Sequence, residues 1–120
     1  MTEYRLSFVT LLDYEDGIIE IIVDEGVDVS ADQFSEMIKF INELPSNPKG
    51  GLVNRVHSYS ISFAAHLRFK ESNAIEWVAE CLHGRRPNPI IKSVWPKKLK
   101  LQFYSDRETA LQWLKASIKN

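Results

Sequence analysis

The sequence predicts a single α/β domain: a mixed sheet of four to five strands flanked by helices, in the order β-β-α-β-α-β-(α)-β-α. Three observations carry this. Hydrophobic spacing switches from about two residues to about three and a half at Ser30, and an alternating strand pattern returns at 98–104 just before a second helical stripe. The chain has 120 residues, 44% hydrophobic and 26% charged, which suits one core held without disulfides or a structural metal.

The first strand is expected in YRLSFVTL at 4–11, rich in β-formers, and the second in IIEIIV at 18–23, a nearly continuous branched run of the buried kind. Glu15-Asp16-Gly17 supplies the turn between them. Ser30 followed by Gln33 forms a capping box, and Phe34, Met37, Ile38, Ile41 and Leu44 then share one stripe of a helix that ends before Pro45. Ser46 to Gly51 is a connecting loop. A short strand from Leu52 to Val56 runs on into HSYSIS, and Ser62 is the expected N-cap of a helix carrying Phe63, Ala64 and Leu67.

The segment NAIEWVAECLHG at 73–84 supports helix or strand. The alternation of Ile75, Trp77, Ala79 and Cys81 with Glu76, Val78, Glu80 and Leu82 favours a strand that completes a β-α-β order. Three prolines in RRPNPIIKSVWP leave room for one short helix between Pro89 and Pro96. KLKLQFY at 98–104 alternates as a half-buried strand, and Ser105 with Glu108 forms a second capping box ahead of Ala110, Leu111, Leu114 and Ile118.

With these elements placed, the chain resembles the SpoIIAA-like branch of the STAS fold, itself similar to CRAL-TRIO lipid-transfer domains. The residues that carry the resemblance are IIEIIVDEGVDVSADQF at 18–34, LVNRVHSYSISFAAHLRF at 52–69 and LQFYSDRETALQWLK at 101–115. It implies a regulatory or binding domain, often dimeric, with some members associated with membranes or holding apolar ligands between a helical segment and the sheet. In the phosphorylated anti-sigma antagonists of this class an Asp-Ser-Ser-Gly type motif opens the helix after the third strand. Here the matching stretch is Ser58-Tyr59-Ser60-Ile61-Ser62-Phe63, without the Asp or the Gly. Ser60 and Ser62 are therefore weighed as phosphate acceptors or as plain junction caps.

Several chemistries lack their residues. His57 and His66 stand near the serines, but there is no G-x-S-x-G elbow and no evident third group to orient a base. Cys81, His83, His57 and His66 lack zinc-site spacing, and no glycine run has phosphate-loop form. Asp13, Glu15 and Asp16 read as a solvated loop. A non-enzymatic domain with no cofactor is the expectation. No run of about 18 apolar residues occurs, and MTEYRLSF does not have the layout of a signal peptide, so a cytoplasmic location is expected.

Charge is uneven although the net value is only −1. Met1 to Glu36 holds ten acidic residues and one base, Arg5, whereas His83 to Lys100 holds Arg85, Arg86, Lys92, Lys97, Lys98 and Lys100 and no acid. The net charge argues against nucleic acid as a partner. In the basic stretch Ile90, Ile91, Val94 and Trp95 are interleaved with cations, the composition of a segment that meets an anionic lipid surface. Alternatively these apolar residues cover the sheet while the cations are solvated or pair with the acidic half of a second copy in a homodimer. The sharper expectation is a movable lid of Ile90, Ile91, Val94 and Trp95 over an apolar ligand, with Phe63, Leu67 and Trp77 below it.

Overall fold

The computed structural model describes residues 1–119. The side chains of Ile90 and Lys92, of which lid and lipid roles are expected, lie outside the described residues.

A six-stranded sheet runs through the chain. In sequence the strands are β1 (Thr2–Arg5), β2 (Val9–Asp13), β3 (Ile18–Val23), β4 (Asp28–Val29), β5 (Gly50–Asn54), β6 (Ser60–Ile61), β7 (Trp77–Cys81) and β8 (Lys100–Tyr104). The sheet order is β1-β2-β3-β5-β7-β8, antiparallel through β3 and parallel from β3 onward. β4 and β6 form a separate two-stranded parallel pair. The helices are α1 (Ala31–Asn42), α2 (Phe63–Leu67) continued by a 3₁₀ turn at Arg68–Glu71, α3 (Ile90–Val94) and α4 (Arg107–Ile118).

The mixed α/β architecture is as expected, with one more strand than the upper expectation. YRLSFVTL is not one strand. The chain reverses at Leu6-Ser7-Phe8, where the Leu6 amide donates to the Val9 carbonyl at 3.0 Å, and Arg5 bonds back to Thr10 and Asp24. The strand expected from Leu52 onward starts at Gly50 and stops at Asn54. Residues 55–59 form a loop, and Ser60–Ile61 pair with Asp28–Val29 outside the main sheet. The 77–81 segment is a strand between β5 and β8, with Val78, Ala79, Glu80 and Cys81 all buried because helices cover both faces.

α1 is capped as its sequence requires: the Gln33 amide donates to Ser30 Oγ at 3.2 Å, and Gln33 Oε1 accepts from the Ser30 amide at 3.0 Å. Its stripe of Phe34, Met37, Ile38 and Ile41 is buried on the sheet, each side chain contributing about 2 kcal/mol of apolar burial. At α4 the N-cap is Asp106, not Ser105: the Thr109 amide donates to Asp106 Oδ1 at 2.9 Å. α4 covers the second face of the sheet through Ala110 and Leu114, and it packs closely on β5, where a Cβ on Gly50 would sit 3.1 Å from Leu114 Cδ2. Two cores result. One lies under α1, α2 and α3, and the other under α4.

Candidate binding site

The face of the sheet opposite α4 is incompletely filled. Ile21 and Val23 of β3, Val53 of β5 and Glu80 of β7 point to this side by strand alternation, α1 contributes Phe34 and Met37, and Phe69 follows α2. Ile91 of α3 and, one residue past its end, Trp95 complete the lining. A cavity of about 220 Å³ remains between them. An apolar cavity of roughly 150 Å³ is large enough to take benzene, so this one has room for a somewhat larger molecule.

Its walls are mostly apolar, and of its polar groups Glu80, His66 and Tyr59 are buried, Arg55 is half-buried, and Ser60 and Asn88 are exposed. Glu80 is 3% exposed, and burial pushes its carboxyl upward against the opposing pull of Arg55. Arg55 Nη1 stands 3.4 Å from Glu80 Oε1, and Nη2 donates to the Tyr59 carbonyl at 2.8 Å. The guanidinium lies over the Tyr59 ring, 4.4 Å from its centroid. Burial moves the Tyr59 phenol up to about 12. The hydroxyl of Tyr59 and Nε of Arg55 are both buried without a hydrogen-bond partner among the described residues. Such groups are uncommon in protein interiors.

His66 is also buried on this wall. Its Nδ1 accepts from the Trp95 indole N–H at 3.0 Å. Because indole nitrogen only donates, Nδ1 carries no proton and Nε2 is the protonated, donating nitrogen. Burial, reinforced by Arg55, pushes the imidazole pKa down, so the ring is neutral at pH 7. Trp95 in turn stacks on Phe69 with centroids 4.3 Å apart. α3 itself has five residues and no side-chain cap at Pro89. So short a helix has little stability of its own, and its place depends on Ile91 and Trp95 beneath it.

Ile91 and Trp95 thus line the cavity, and Val94 packs half-buried against the same core. The floor expected from Phe63, Leu67 and Trp77 lies elsewhere. α2 turns Ala65 and His66 inward, so Phe63 and Leu67, four residues apart, sit together outside at 54% and 42% exposure. On β7 the odd positions face α4, which puts Trp77 against the α4 core with Ala79 and Cys81, and Lys100 Nζ lies 4.7 Å above its ring.

Among the cations, Arg85 folds back on the chain and donates to the carbonyls of Arg55 and His57, whereas Arg86, Lys97 and Lys98 are exposed. Ser62 Oγ accepts from the Ala65 amide at 3.1 Å as the α2 N-cap, and the Ser60 hydroxyl donates to Asp28 Oδ1 at 2.8 Å.

Sequence reasoning missed Arg55, Tyr59 and Glu80. Their signals were a glutamate inside the apolar run WVAEC, and an Arg and Tyr just after a parallel strand, where ligand sites in α/β sheets gather.

A second polar cluster crosses the α4 face. Glu20 accepts from Tyr14 at 2.7 Å, from Asn54 at 2.8 Å and from Arg107 Nη2 at 2.8 Å. Burial alone would raise its pKa, but those three donors bring it below the usual carboxylate value. His83 Nε2 stands 2.6 Å from Asn54 Oδ1 and 3.4 Å from the buried Cys81 sulfur, whose pKa burial raises. A buried, neutral thiol is a poor nucleophile.

The structure is similar to that of an uncharacterised DUF3478-family protein from Shewanella loihica PV-4 described as having a SpoIIAA-like fold. The TM-score is 0.60 over 95% of this chain and 99% of that one, at 14% identity. This fold is SpoIIAA-like. The agreement confirms the architecture expected from the segments at 18–34, 52–69 and 101–115. No family model matches the sequence, and no curated protein matches it. Within this SpoIIAA-like frame no helix among the described residues is long and apolar enough to cross a membrane.

Proposed function

We propose that this protein is a binding domain that holds a small molecule with an apolar body in the cavity beneath α3, with Ile91 and Trp95 as its cover. The observation that carries this is the 220 Å³ space itself, apolar on most sides yet bordered by Glu80, Arg55, Tyr59 and His66. A few polar groups converging in an apolar pocket is how ligand sites orient what they bind. The SpoIIAA-like fold is in keeping with a binding or regulatory role rather than a catalytic one.

Titration with 1-hexanol tests it. At ten times Kd the melting temperature should rise by about 6 °C, since the bound state gains about 1.4 kcal/mol and a chain of this length unfolds with roughly 0.25 kcal/mol/K of entropy. Val53→Phe or Ile61→Phe, each placing a larger side chain into the cavity, should abolish the shift. No shift in the parent protein, or an equal shift in both filled variants, contradicts the proposal.

Contact with an anionic membrane is a second proposal. It is favoured by the paired exposure of Phe63 and Leu67 and by the solvated Arg86, Lys97 and Lys98. Flotation with anionic vesicles at low salt reads it, and Phe63→Ser/Leu67→Ser should weaken binding. Phosphorylation at Ser60 or Ser62 ranks behind both, because a phosphate on Ser60 would meet Asp28 and the Ser62 oxygen already caps α2.

A further inference from the structure

The unpartnered atoms around the cavity share one character. Arg55 Nε can only donate, the Tyr59 hydroxyl has a proton to donate, and both are buried without partners among the described residues. The His66 tautomer fixed by Trp95 adds a third donor, an N–H, among the lining residues. Against these donors stand the Glu80 carboxylate, whose Oε1 already faces Arg55, and the exposed side chains of Ser60 and Asn88, none of which accepts from Arg55 Nε or Tyr59 Oη. The deficit is therefore in acceptors. The guanidinium already faces Glu80 through Nη1, so what remains open is its Nε beside the Tyr59 hydroxyl, and a planar carboxylate offers two oxygens to two donors.

We propose, resting on the binding role above, that the ligand is a small monocarboxylic acid, its carboxylate held between Arg55 Nε and Tyr59 Oη and its apolar body packed under Ile91 and Trp95. In proportion to the roughly 150 Å³ that accommodates benzene, the space takes about nine non-hydrogen atoms, the size of hexanoic or benzoic acid. A cationic ligand is disfavoured, since it would meet Arg55 and find Glu80 already engaged. A phosphate is disfavoured because it would add close to two charges to a guanidinium that already faces Glu80, where a carboxylate adds one.

The test compares hexanoate, 1-hexanol and hexylamine by calorimetry on the full chain at low salt, with parent protein, Tyr59→Phe, and the double variant Arg55→Met/Glu80→Met. The double variant removes both charges together and so leaves neither buried alone. Hexanoate should bind at least about tenfold tighter than hexanol, as one charge-assisted hydrogen bond to an otherwise unpaired donor provides. Tyr59→Phe should reduce that preference about threefold or more, and the double variant should erase it while hexanol binding persists.

If hexanol binds as tightly as hexanoate, the carboxylate inference fails and the binding role survives. If hexylamine binds tightest, Glu80 is the anchor and the inference also fails. If none of the three binds, the binding role itself fails.

Discussion

Replacing Tyr59 with phenylalanine should make the ligand-free protein more stable. The hydroxyl is buried and without a hydrogen-bond partner among the described residues, a condition that costs about 1–3 kcal/mol. Phenylalanine keeps the ring in place and most of the stacking with Arg55 at 4.4 Å, so only a few tenths of a kcal/mol are lost there. The Tyr59 carbonyl that accepts from Arg55 is backbone and is unaffected. The net gain should be about 1–2 kcal/mol, or a rise of about 4–8 °C in melting temperature for a chain of this size. Urea unfolding followed by fluorescence should show a higher midpoint at unchanged slope. A midpoint equal to or below that of the parent would mean that the hydroxyl is already satisfied, by solvent within the cavity, and that the donor excess is smaller than argued.

Other perturbations read other parts of the structure. Arg107→Met leaves the buried Glu20 with only Tyr14 and Asn54, and should cost about 2–3 kcal/mol, below the usual figure for a broken buried pair because Arg107 is about one third exposed. Since Glu20 has a lowered pKa, its stabilisation is present above the unfolded value and is lost as pH falls through the folded one. Acid unfolding of the variant should therefore begin at higher pH, measured by urea midpoints between about pH 7 and 3. Glu80 has the opposite sign. Its raised pKa means that stability present below the unfolded value is lost as pH rises through the folded one, so Glu80→Gln should gain relative to the parent as pH increases. Ser30→Ala removes the α1 cap and should lower stability by about 1 kcal/mol at all pH values, read from the same midpoints.

What the sequence disclosed follows from how local each signal is. The stripe of Phe34, Met37, Ile38 and Ile41 and the Ser30–Gln33 box are written within one helix, and both are present in the structure. The prolines at 89 and 96 bounded α3 for the same reason. The strand at 77–81 was recognisable by alternation, although its two-sided burial came from α4, far away in the chain. The reversal at Leu6–Phe8 was hidden because it has no Gly, Pro or Asn, and Arg5 holds it by reaching Thr10 and Asp24. At 105–109 the Ser-Asp pair offers two cap-competent residues in adjacent registers, and Thr109 closes on the second.

The cavity was the least legible feature. Pairing Arg55 with Glu80 spans 25 residues, and periodicity assigns a residue to a face without naming what it meets there. The same limit placed Trp77 on the wrong face of the sheet: one alternation step decides between the α4 core and the cavity, and helical spacing alone could not tell that α2 turns His66, rather than Phe63 and Leu67, inward.

A crystal structure of the protein grown with saturating hexanoate tests the central claim most directly. The account expects the acid enclosed beneath α3, its carboxylate oxygens about 3 Å from Arg55 Nε and Tyr59 Oη and its chain against Ile91 and Trp95. A cavity holding only solvent at that concentration, or collapsed around its own side chains with the acid bound elsewhere, would contradict it.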